Sequence, residues 1–448
     1  MWELFLFIIA LVLILMRRMS IPLLIIFGFY NSFTFTGAAG SEFLFVHNYV
    51  DVANVLMAIM LLTLMLVRHH NPIKQLKTVK RGAVIFVVFF VIAAIVDIWI
   101  NHDKIGSVAR VFRMWVPIGM VFCVGYFKPI EIKKLVEYIV ALSVLLSALI
   151  IFQQLTSIEI LSLYKVNELS SRSPIPWILS LFVVLLLLND YYKSPWKKWL
   201  SIGIILLNIL MSGSRSLSIA YFLVILVSFL FSGRFSYRKL AGISVLFIAI
   251  VILFSTDNIL SRRMEEAADE RSNIASGKVE GTFSMRMLML YERMDYIDRK
   301  LQYQVLGIGF IQEKDFPSSV FIIGLRSSWD GPVSQVDSGD IAWSPLFLRF
   351  GYVGTALLVL FFYIPLIRMY WKRRKNKLFF SIAFYLFVNL MLISFTYSYI
   401  YEGSFFLLPI LLSVFIPIYD EDYRLMNIRV VPQPTSENVA LIDNSYDS

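Results

Sequence analysis

The sequence predicts an all-α fold: a polytopic transmembrane helix bundle of about 12–13 spans with one large extracytoplasmic loop that contains short helices. The first observation is composition, because 58% of the 448 residues are hydrophobic and only 16% are charged, against roughly 45–50% and about 25% in soluble domains. The second is that long apolar runs alternate with short basic connections. The third is one long polar stretch, residues 256–340.

Composition also excludes several classes of protein. A mean hydropathy of +0.73 excludes a disordered chain, a disulfide scaffold and an ordinary cytosolic enzyme. The net charge of +10 does not indicate nucleic-acid binding, because Lys and Arg lie in short runs between apolar stretches and not in one basic patch. The sequence has a single cysteine, Cys123, which excludes an intrachain disulfide.

Thirteen apolar segments are candidates for spanning helices, which need about 20 residues. They lie near residues 2–16, 20–35, 49–67, 82–100, 111–127, 135–155, 174–189, 199–211, 215–231, 240–255, 341–367, 378–398 and 403–418. We assign 1–255 to an N-terminal bundle of about ten spans, 341–418 to C-terminal transmembrane helices and 419–448 to a tail. The first segment is interpreted as a retained helix, because Arg17 and Arg18 follow it where a cleavage site would have small residues.

The distribution of Lys and Arg predicts the orientation of the helices. The connections 17–18, 68–81, 128–134, 193–198, 234–239 and 368–377 together contain 22 Lys and Arg, whereas the alternate connections 36–48, 101–110, 156–173, 212–216 and 399–403 contain 5. Since basic loops remain on the cytoplasmic side, the first set and the C-terminal tail are predicted to be cytoplasmic. The loop 256–340 is then on the outer face.

The polar loop contains 10 basic and 14 acidic residues and is expected to be partly helical. We predict a charged helix over 257–272 and a second helix that begins at Thr282 or Ser284 and runs to about Gln304. The sequence Leu306-Gly307-Ile308-Gly309-Phe310 predicts a tight turn. Later Pro and Gly residues predict irregular structure up to residue 340.

The sequence lacks the usual motifs for metals and nucleotides. The four histidines form no His-x-x-x-His pair, and no glycine-rich loop precedes Lys-Ser or Lys-Thr. We therefore expect neither a metal nor another cofactor. The acidic triplet Asp420-Glu421-Asp422 is expected to be a solvated face of the cytoplasmic tail.

Two arginines are candidate ligands of an anion. Arg215 lies in the small-residue break Ser212-Gly213-Ser214-Arg215-Ser216, where it either snorkels to water or directs its guanidinium at a lipid phosphate, whose oxygens it matches bidentately. Arg286 begins the second loop helix among apolar residues. It is either an ordinary exposed cation or a cation directed back at the membrane surface.

Two further arginines lie close to or within predicted spans. Arg113 is near the outer end of the fifth segment and serves either as an interface anchor or as an anion ligand. Arg349 lies well inside the segment that begins at 341. A charge at such a depth is costly, so Arg349 is a functional candidate by default.

Two carboxylates precede that segment, in Asp337-Ser338-Gly339-Asp340-Ile341. Either one is a candidate general base. Either one is also a candidate cap for the following helix, because Asp is favoured near a helix N-terminus. The two interpretations differ in whether an amide can replace the carboxylate.

The order of these features resembles the O-antigen polymerase and O-antigen ligase family of bacterial polysaccharide assembly. The shared features are many spans, the Ser-Gly-Ser-Arg-Ser break, a large late outer loop, the Leu-Gly-Ile-Gly-Phe turn, and an Asp-containing approach to a span that continues into Phe350-Gly351-Tyr352-Val353-Gly354. Together they cover residues 200–360.

The resemblance implies a metal-independent, integral membrane glycosyltransferase at the outer face of the bacterial plasma membrane, with glycans linked to polyprenyl diphosphate as donors. It implies that Arg215 and Arg286 hold the diphosphate, and we add Arg113 and Arg349 as further diphosphate ligands. Asp340 takes the position where ligases often have a histidine. The expected partners are the lipid-linked oligosaccharides, membrane lipids, flippase and chain-length regulator proteins, and no nucleic acid.

Three alternatives to a polymerase remain open. One is a ligase that transfers glycan to a lipid or another acceptor, although residues 256–340 contain no histidine, which favours a polymerase. The second is a transporter or flippase of lipid-linked glycans, although the single lopsided loop is unlike the paired halves of many transporters. The third is a passive assembly subunit.

The predicted orientation can be tested by labelling. A cysteine introduced at Ser276, in a variant from which Cys123 has been removed, should react with a membrane-impermeant thiol reagent in intact spheroplasts, because the loop is predicted to face outward. Labelling that requires lysis would contradict the orientation.

Overall fold

The computed structural model describes residues 2–30, 49–99, 105–156, 164–165, 171–172, 177–188, 194–211, 282–313, 316–317, 320–321, 325–326, 333–336, 341–395 and 399–421. These residues are predominantly helical. Two predicted spans, 215–231 and 240–255, and the predicted charged helix 257–272 lie outside the described residues.

The helices described before the polar loop are α1 Trp2–Leu15, α2 Ser20–Tyr30, α3 Tyr49–Val67, α4 Lys77–Trp99, α5 Ile105–Phe112, α6 Met120–Cys123, α7 Pro129–Thr156, α8 Trp177–Leu188 and α9 Pro195–Met211. Those described within and after the loop are α10 Thr282–Asp298, α11 Leu301–Leu306, α12 Trp343–Ala356, α13 Ile364–Trp371, α14 Lys377–Met391 and α15 Leu407–Leu412. A π-helical stretch, Leu357–Tyr363, joins α12 to α13.

Within these ranges, seven helical stretches are long and apolar enough to cross a membrane. They are Val50–Val67, Lys74–Trp99, Ile105–Tyr126, Pro129–Gln153, Trp343–Trp371, Lys377–Phe395 and Gly403–Glu421. The shorter helices α1 and α2 are also apolar. The predicted helical fold with several helices long and apolar enough to span a membrane is therefore confirmed, whereas the total of 12–13 spans stays a prediction.

The described residues also include two short antiparallel strand pairs. Strand β1, Tyr164–Lys165, pairs with β2, Ser171–Arg172. Strand β3, Leu325–Arg326, pairs with β4, Val333–Ser334, in the polar loop.

Two spans begin earlier than their apolar segments predict. Helix α4 begins at Lys77 and α7 at Pro129, because the first turns contain basic residues that an apolar segment leaves out. Lys and Arg remain helical there, since their aliphatic stems lie along apolar surface while the charge reaches water. Proline suits the first position of α7, where its missing N–H costs no helical hydrogen bond.

The stretch 105–126 is less regular than one α-helix. Helix α5 ends at Phe112 and a 3-10 helix follows over Arg113–Gly119, with Pro117 inside it. Proline has no N–H to donate to the helical ladder, so it interrupts a regular α-helix. Arg113 consequently begins the 3-10 turn near one end of the bundle.

Helix α4 approaches the π-helical stretch 357–363 closely enough to require glycine. A Cβ atom on Gly82 would overlap the carbonyl group of Phe361. Because both contacting groups are backbone, no side-chain rotation can relieve the overlap. Gly82 therefore sets the separation between the fourth and the eleventh predicted spans.

The basic connections meet at one end of the bundle. Arg68, which follows α3, forms a bidentate pair with Glu131 of α7 at N–O distances of 2.7 and 2.8 Å. Asp420 accepts hydrogen bonds from Arg373 and from Gln75, each at 2.7 Å. The expectation of a purely solvated acidic face at Asp420 was wrong, because this carboxylate joins connections that are distant in the sequence.

The opposite end of the same helices carries a different set of charges. Asp51 lies in the first turn of α3 and Asp97 in the last turn of α4, so both are a full helix length from the basic connections. Arg113 lies at this end too, because it pairs with Asp51. The described connections thus lie alternately at two ends of the bundle, and the two ends differ in their charged residues.

The close contact at Gly82 yields a stability prediction. Gly82→Val should lower the stability of the purified protein by about 1–3 kcal/mol, as overpacking in a core does, and the melting temperature in detergent would report it. The matched control is Gly203→Val, since a Cβ on Gly203 meets nothing within 4 Å. Equal melting temperatures for the two variants would contradict the packing argument.

Candidate functional site

The polar loop is attached to the bundle through the glycine-rich turn 306–310. The Ile308 N–H donates to the Leu348 carbonyl at 2.7 Å, and the Gly309 N–H donates to the Arg349 carbonyl at 3.2 Å. Gly307 and Gly309 have φ values of 73° and 76°, a region that L side chains rarely adopt. The predicted tight turn is confirmed, and its backbone lies directly on helix α12.

Helix α12 is broken where it receives the turn. Gly351 has φ 62° and ψ −171°, which is not helical. In an unbroken helix the carbonyls of Leu348 and Arg349 would accept from residues 352 and 353. The break interrupts that ladder, and the turn supplies N–H donors to the same two carbonyls.

Two buried charged side chains form hydrogen bonds with the backbone of the turn and of the residue after it. The Asp97 carboxylate, at the end of α4, accepts the Phe310 N–H at 2.6 Å, and Arg349 Nη1 donates to the Ile311 carbonyl at 2.8 Å. Asp97 is 3% exposed and Arg349 is 0% exposed. Charges at such depth require hydrogen-bonding partners, and the loop backbone provides some of them.

The expectation that Arg349 lies deep in the protein is confirmed. Its role as a diphosphate ligand stays a prediction, and the structure adds a second role, because the same guanidinium also faces the Gly309 carbonyl at 3.4 Å. Arg349 therefore fixes the position of the loop relative to the membrane helices. The sequence signal for this role was an arginine within a span, preceded by two glycines in the loop.

Arg113 lies beside an acidic group, Asp51, at the end of the bundle opposite the basic connections. Its Nη1 pairs with Asp51, and its carbonyl accepts from Asn54 Nδ2 at 3.3 Å. Asn54 in turn accepts from the Tyr30 hydroxyl at 2.6 Å. The pair is part-exposed, at 21% for Arg113 and 29% for Asp51, so a guanidinium neutralised on one side remains accessible from another.

Arg286 is half-buried near the beginning of helix α10. The next residues pack against the start of α12, since Met289 and Leu290 share a buried cluster with Ile341 and Met287 packs on it. Ile341 directly follows Asp340 in the sequence. The structure thus brings the Arg286 segment to the beginning of the span that Asp340 precedes.

Helix α10 is shorter than predicted. It ends at Asp298, and α11 begins at Leu301 rather than continuing to Gln304 as one helix. The break allows the Tyr296 and Tyr303 rings to stack at 5.6 Å between centroids. Tertiary packing therefore overrides the helix-forming tendency of Arg299 and Lys300.

Sequence reasoning missed Arg293, which organises the interior of the loop. It is 0% exposed, donates to Glu292 at 2.9 Å and to the Gln335 carbonyl at 3.0 Å, and lies 4.3 Å from the Phe321 ring centre. Burial lowers the pKa of Arg293 to about 10, and Glu292 and Glu313 partly oppose the shift. Arg293 therefore remains a cation at neutral pH.

Sequence reasoning also missed Glu402, in the connection between the last two described spans. It is the only carboxylate between Lys377 and Tyr419, which is the signal that would have found it. Its side chain is half-buried, and burial raises the pKa of the carboxyl to about 7, while a hydrogen bond from Ser404 partly opposes the shift. A carboxyl with such a pKa exchanges protons near neutral pH.

The other predicted site residues lie outside the part of the chain that the structure describes. They are Arg215, Asp337 and Asp340. Among the described residues, no group of three or more His, Cys, Asp or Glu side chains is placed to hold a metal ion.

Comparison with models of known protein families finds no match, and no curated protein matches the chain. The functional argument therefore depends on the site itself.

The attachment of the loop gives a prediction for Asp97. Asp97→Ala should leave the buried Phe310 N–H without its carboxylate acceptor, at a cost of about 1–3 kcal/mol, and should make residues 282–313 more susceptible to limited proteolysis. Asp295→Ala is the control, because Asp295 is 72% exposed and pairs with Arg299 at the surface, where an ion pair contributes little. Identical proteolysis of the two variants would contradict the proposed attachment.

Proposed function

We propose that this protein is an integral membrane glycosyltransferase that polymerises oligosaccharide repeat units linked to polyprenyl diphosphate. The observation that supports the proposal is the convergence of the polar loop on one span. Helix α10, which carries Arg286, and the turn 306–310 both pack on α12. They do so at the end of the bundle opposite the basic connections, where Arg113 and Glu402 also lie.

For polyprenyl diphosphate to act as a leaving group, the protein mainly has to provide positive charge. In the proposed reaction, an acceptor hydroxyl oxygen bonds to the anomeric carbon of the donor glycan. The bond from that carbon to the phosphate oxygen breaks, and the diphosphate leaves with the electron pair. Fixed cations directed at this developing charge are commonly the largest contribution to such catalysis.

The arginines supply these cations at the boundary of the membrane. A guanidinium binds phosphate oxygens bidentately and remains charged. In the proposal, Arg215 and Arg286 hold the diphosphate, and Arg113 and Arg349 contribute further positive charge. Such a site uses neither a metal nor a nucleotide.

The location follows from the charge of the two ends. The end that holds Arg68 and Arg373 is assigned to the cytoplasm by the excess of basic residues in its connections. The loop 256–340 and the reaction are then on the outer face of the bacterial plasma membrane, and the C-terminal tail is cytoplasmic. A flippase would deliver the substrate, and a chain-length regulator is a further expected partner.

The absence of histidine from residues 256–340 favours a polymerase over a ligase within this proposal. A ligase and a polymerase share the donor and differ in the acceptor. The distinguishing product is therefore a longer glycan that is still attached to polyprenyl diphosphate.

The proposal predicts that Arg215 and Arg286 are both essential. Arg215→Ala and Arg286→Ala should each abolish polymer in cells that lack the native gene, because the leaving group loses a fixed counter-charge. Single lipid-linked repeat units should accumulate, as resolved on gels of extracted glycolipids. Arg215→Lys should rescue poorly, since lysine lacks the bidentate fork.

The control for these variants is Arg299→Ala, whose guanidinium is 65% exposed and pairs with Asp295. It should leave the polymer unchanged. Normal polymer from Arg215→Ala, at normal protein levels in the membrane, would contradict the proposed diphosphate site.

A further inference from the structure

The backbone fixes Glu402 beside the Arg113 turn. Gly403, the next residue, lies so close to this turn that a Cβ would be 2.5 Å from the Met114 carbonyl oxygen and 2.9 Å from Trp115 Cα. Because this contact is between two backbone segments, the backbone of the neighbouring residue, Glu402, has little freedom to move. Glu402 is therefore held at the same end of the bundle as the Arg113–Asp51 pair.

Aromatic contacts connect this position to helix α12. The Tyr401 ring is 5.9 Å from Trp115 and 6.5 Å from Phe350, and Trp115 is 5.3 Å from Phe350. Phe350 directly follows Arg349. Glu402 and the span that holds the loop turn thus share one aromatic cluster.

The Glu402 carboxylate does not have an evident structural role. It occupies the N-cap position of the 3-10 turn Gly403–Phe406, yet its side chain makes no capping hydrogen bond. Among the described residues it forms no ion pair, and its hydrogen bond is from the Ser404 hydroxyl at 3.4 Å. The backbone carbonyl, by contrast, accepts the Phe405 N–H at 3.1 Å.

The charged groups on neighbouring elements are engaged elsewhere. On the turn Arg113–Gly119 the charged residue is Arg113, which pairs with Asp51. On α12 it is Arg349, which donates to loop carbonyls. Helix α15 and the turn Tyr399–Tyr401 carry no charged residue, and the tyrosines of that turn are its titratable groups. Burial is therefore the largest influence on the ionisation of the Glu402 carboxyl group, and it raises the pKa of this group to about 7.

We propose that Glu402 is the proton acceptor for the acceptor-sugar hydroxyl. This inference rests on the proposed glycosyl transfer. As the hydroxyl oxygen bonds to the anomeric carbon, its proton passes to the Glu402 carboxylate, and the electron pair of the breaking bond leaves with the diphosphate. In this proposal Glu402 takes the role of general base for which Asp340 is the candidate from the sequence.

The test uses the full-length protein in liposomes, with lipid-linked oligosaccharides extracted from the source strain after deletion of this gene. Elongation is followed by gel as a function of pH. Glu402→Gln should reduce the rate by at least about 100-fold, the lower range for loss of general-base catalysis. Glu402→Asp should restore part of the rate, because it keeps a carboxylate at a slightly different distance.

The pH profile separates a proton acceptor from a structural residue. For the wild type, the rate should fall about tenfold per pH unit below pH 7, because protonation removes the base. Ser404→Ala should move this acidic limb of the pH–rate profile to higher pH, since the lost hydrogen bond favoured the ionised form of Glu402. Asp295→Ala, which removes a carboxylate that is 72% exposed, should keep both the rate and its pH dependence.

Stability measurements exclude misfolding as the cause of lost activity. Because the pKa of Glu402 is raised on folding, the wild type loses stability as pH rises from the ordinary carboxyl pKa through about 7. Glu402→Gln lacks this loss and should melt no lower than the wild type at pH 8.

The outcomes distinguish the two proposals. No elongation by the wild type would overturn the proposed function itself. Elongation by Glu402→Gln within threefold of the wild-type rate, or a pH limb that disappears in Asp340→Asn, would overturn the role of Glu402 alone.

Discussion

The hydrogen bonding of Asp97, in the last turn of α4, and of Arg349, within α12, is the constraint on which the rest of the structure depends. Both side chains are buried, and a buried charge without partners costs several kcal/mol or more. Both are bonded to backbone groups of residues 309–311. The loop backbone therefore supplies hydrogen-bonding partners to buried charges of the bundle, and the bundle fixes the position of the loop. Residues 309–311 of the polar loop thereby become part of the folded core.

That constraint gives three glycines with positive φ a second requirement, which is the lack of space for a Cβ atom. Gly307 presses on the Arg349 backbone, and Gly309 leaves no space for a Cβ beside the Asp97 carboxylate. Gly351 breaks α12 under Tyr303 and Gln304, whose carbonyls a Cβ would approach to within 2.6 Å. The positions interlock, because each glycine lies against a partner that is fixed by one of the others.

Hydropathy and charge were sufficient to predict the spans that the structure describes and the alternation of their ends, because both depend on local composition. The turn 306–310 and the depth of Arg349 were also predictable, since glycine spacing and a cation in an apolar run are local signals. The contact between Asp97 and Phe310 was not, because it joins positions 213 residues apart. Likewise, the break after Asp298 follows from the stacking of Tyr296 on Tyr303, which no propensity of Arg299 or Lys300 encodes.

The end of the bundle opposite the basic connections contains two kinds of ionisable group, and they differ in how the fold engages them. Asp51, Asp97, Arg113 and Arg349 each have an ion pair or hydrogen bonds to the fold, so the folded structure is a sufficient reason for their charges. Glu402 has a hydroxyl at 3.4 Å and a surrounding that favours the protonated acid. A glutamine would fill the same space without the cost of a buried charge. A carboxylate in such surroundings has no role in the described fold that a glutamine could not fill, and this is the basis for the proposed proton transfer.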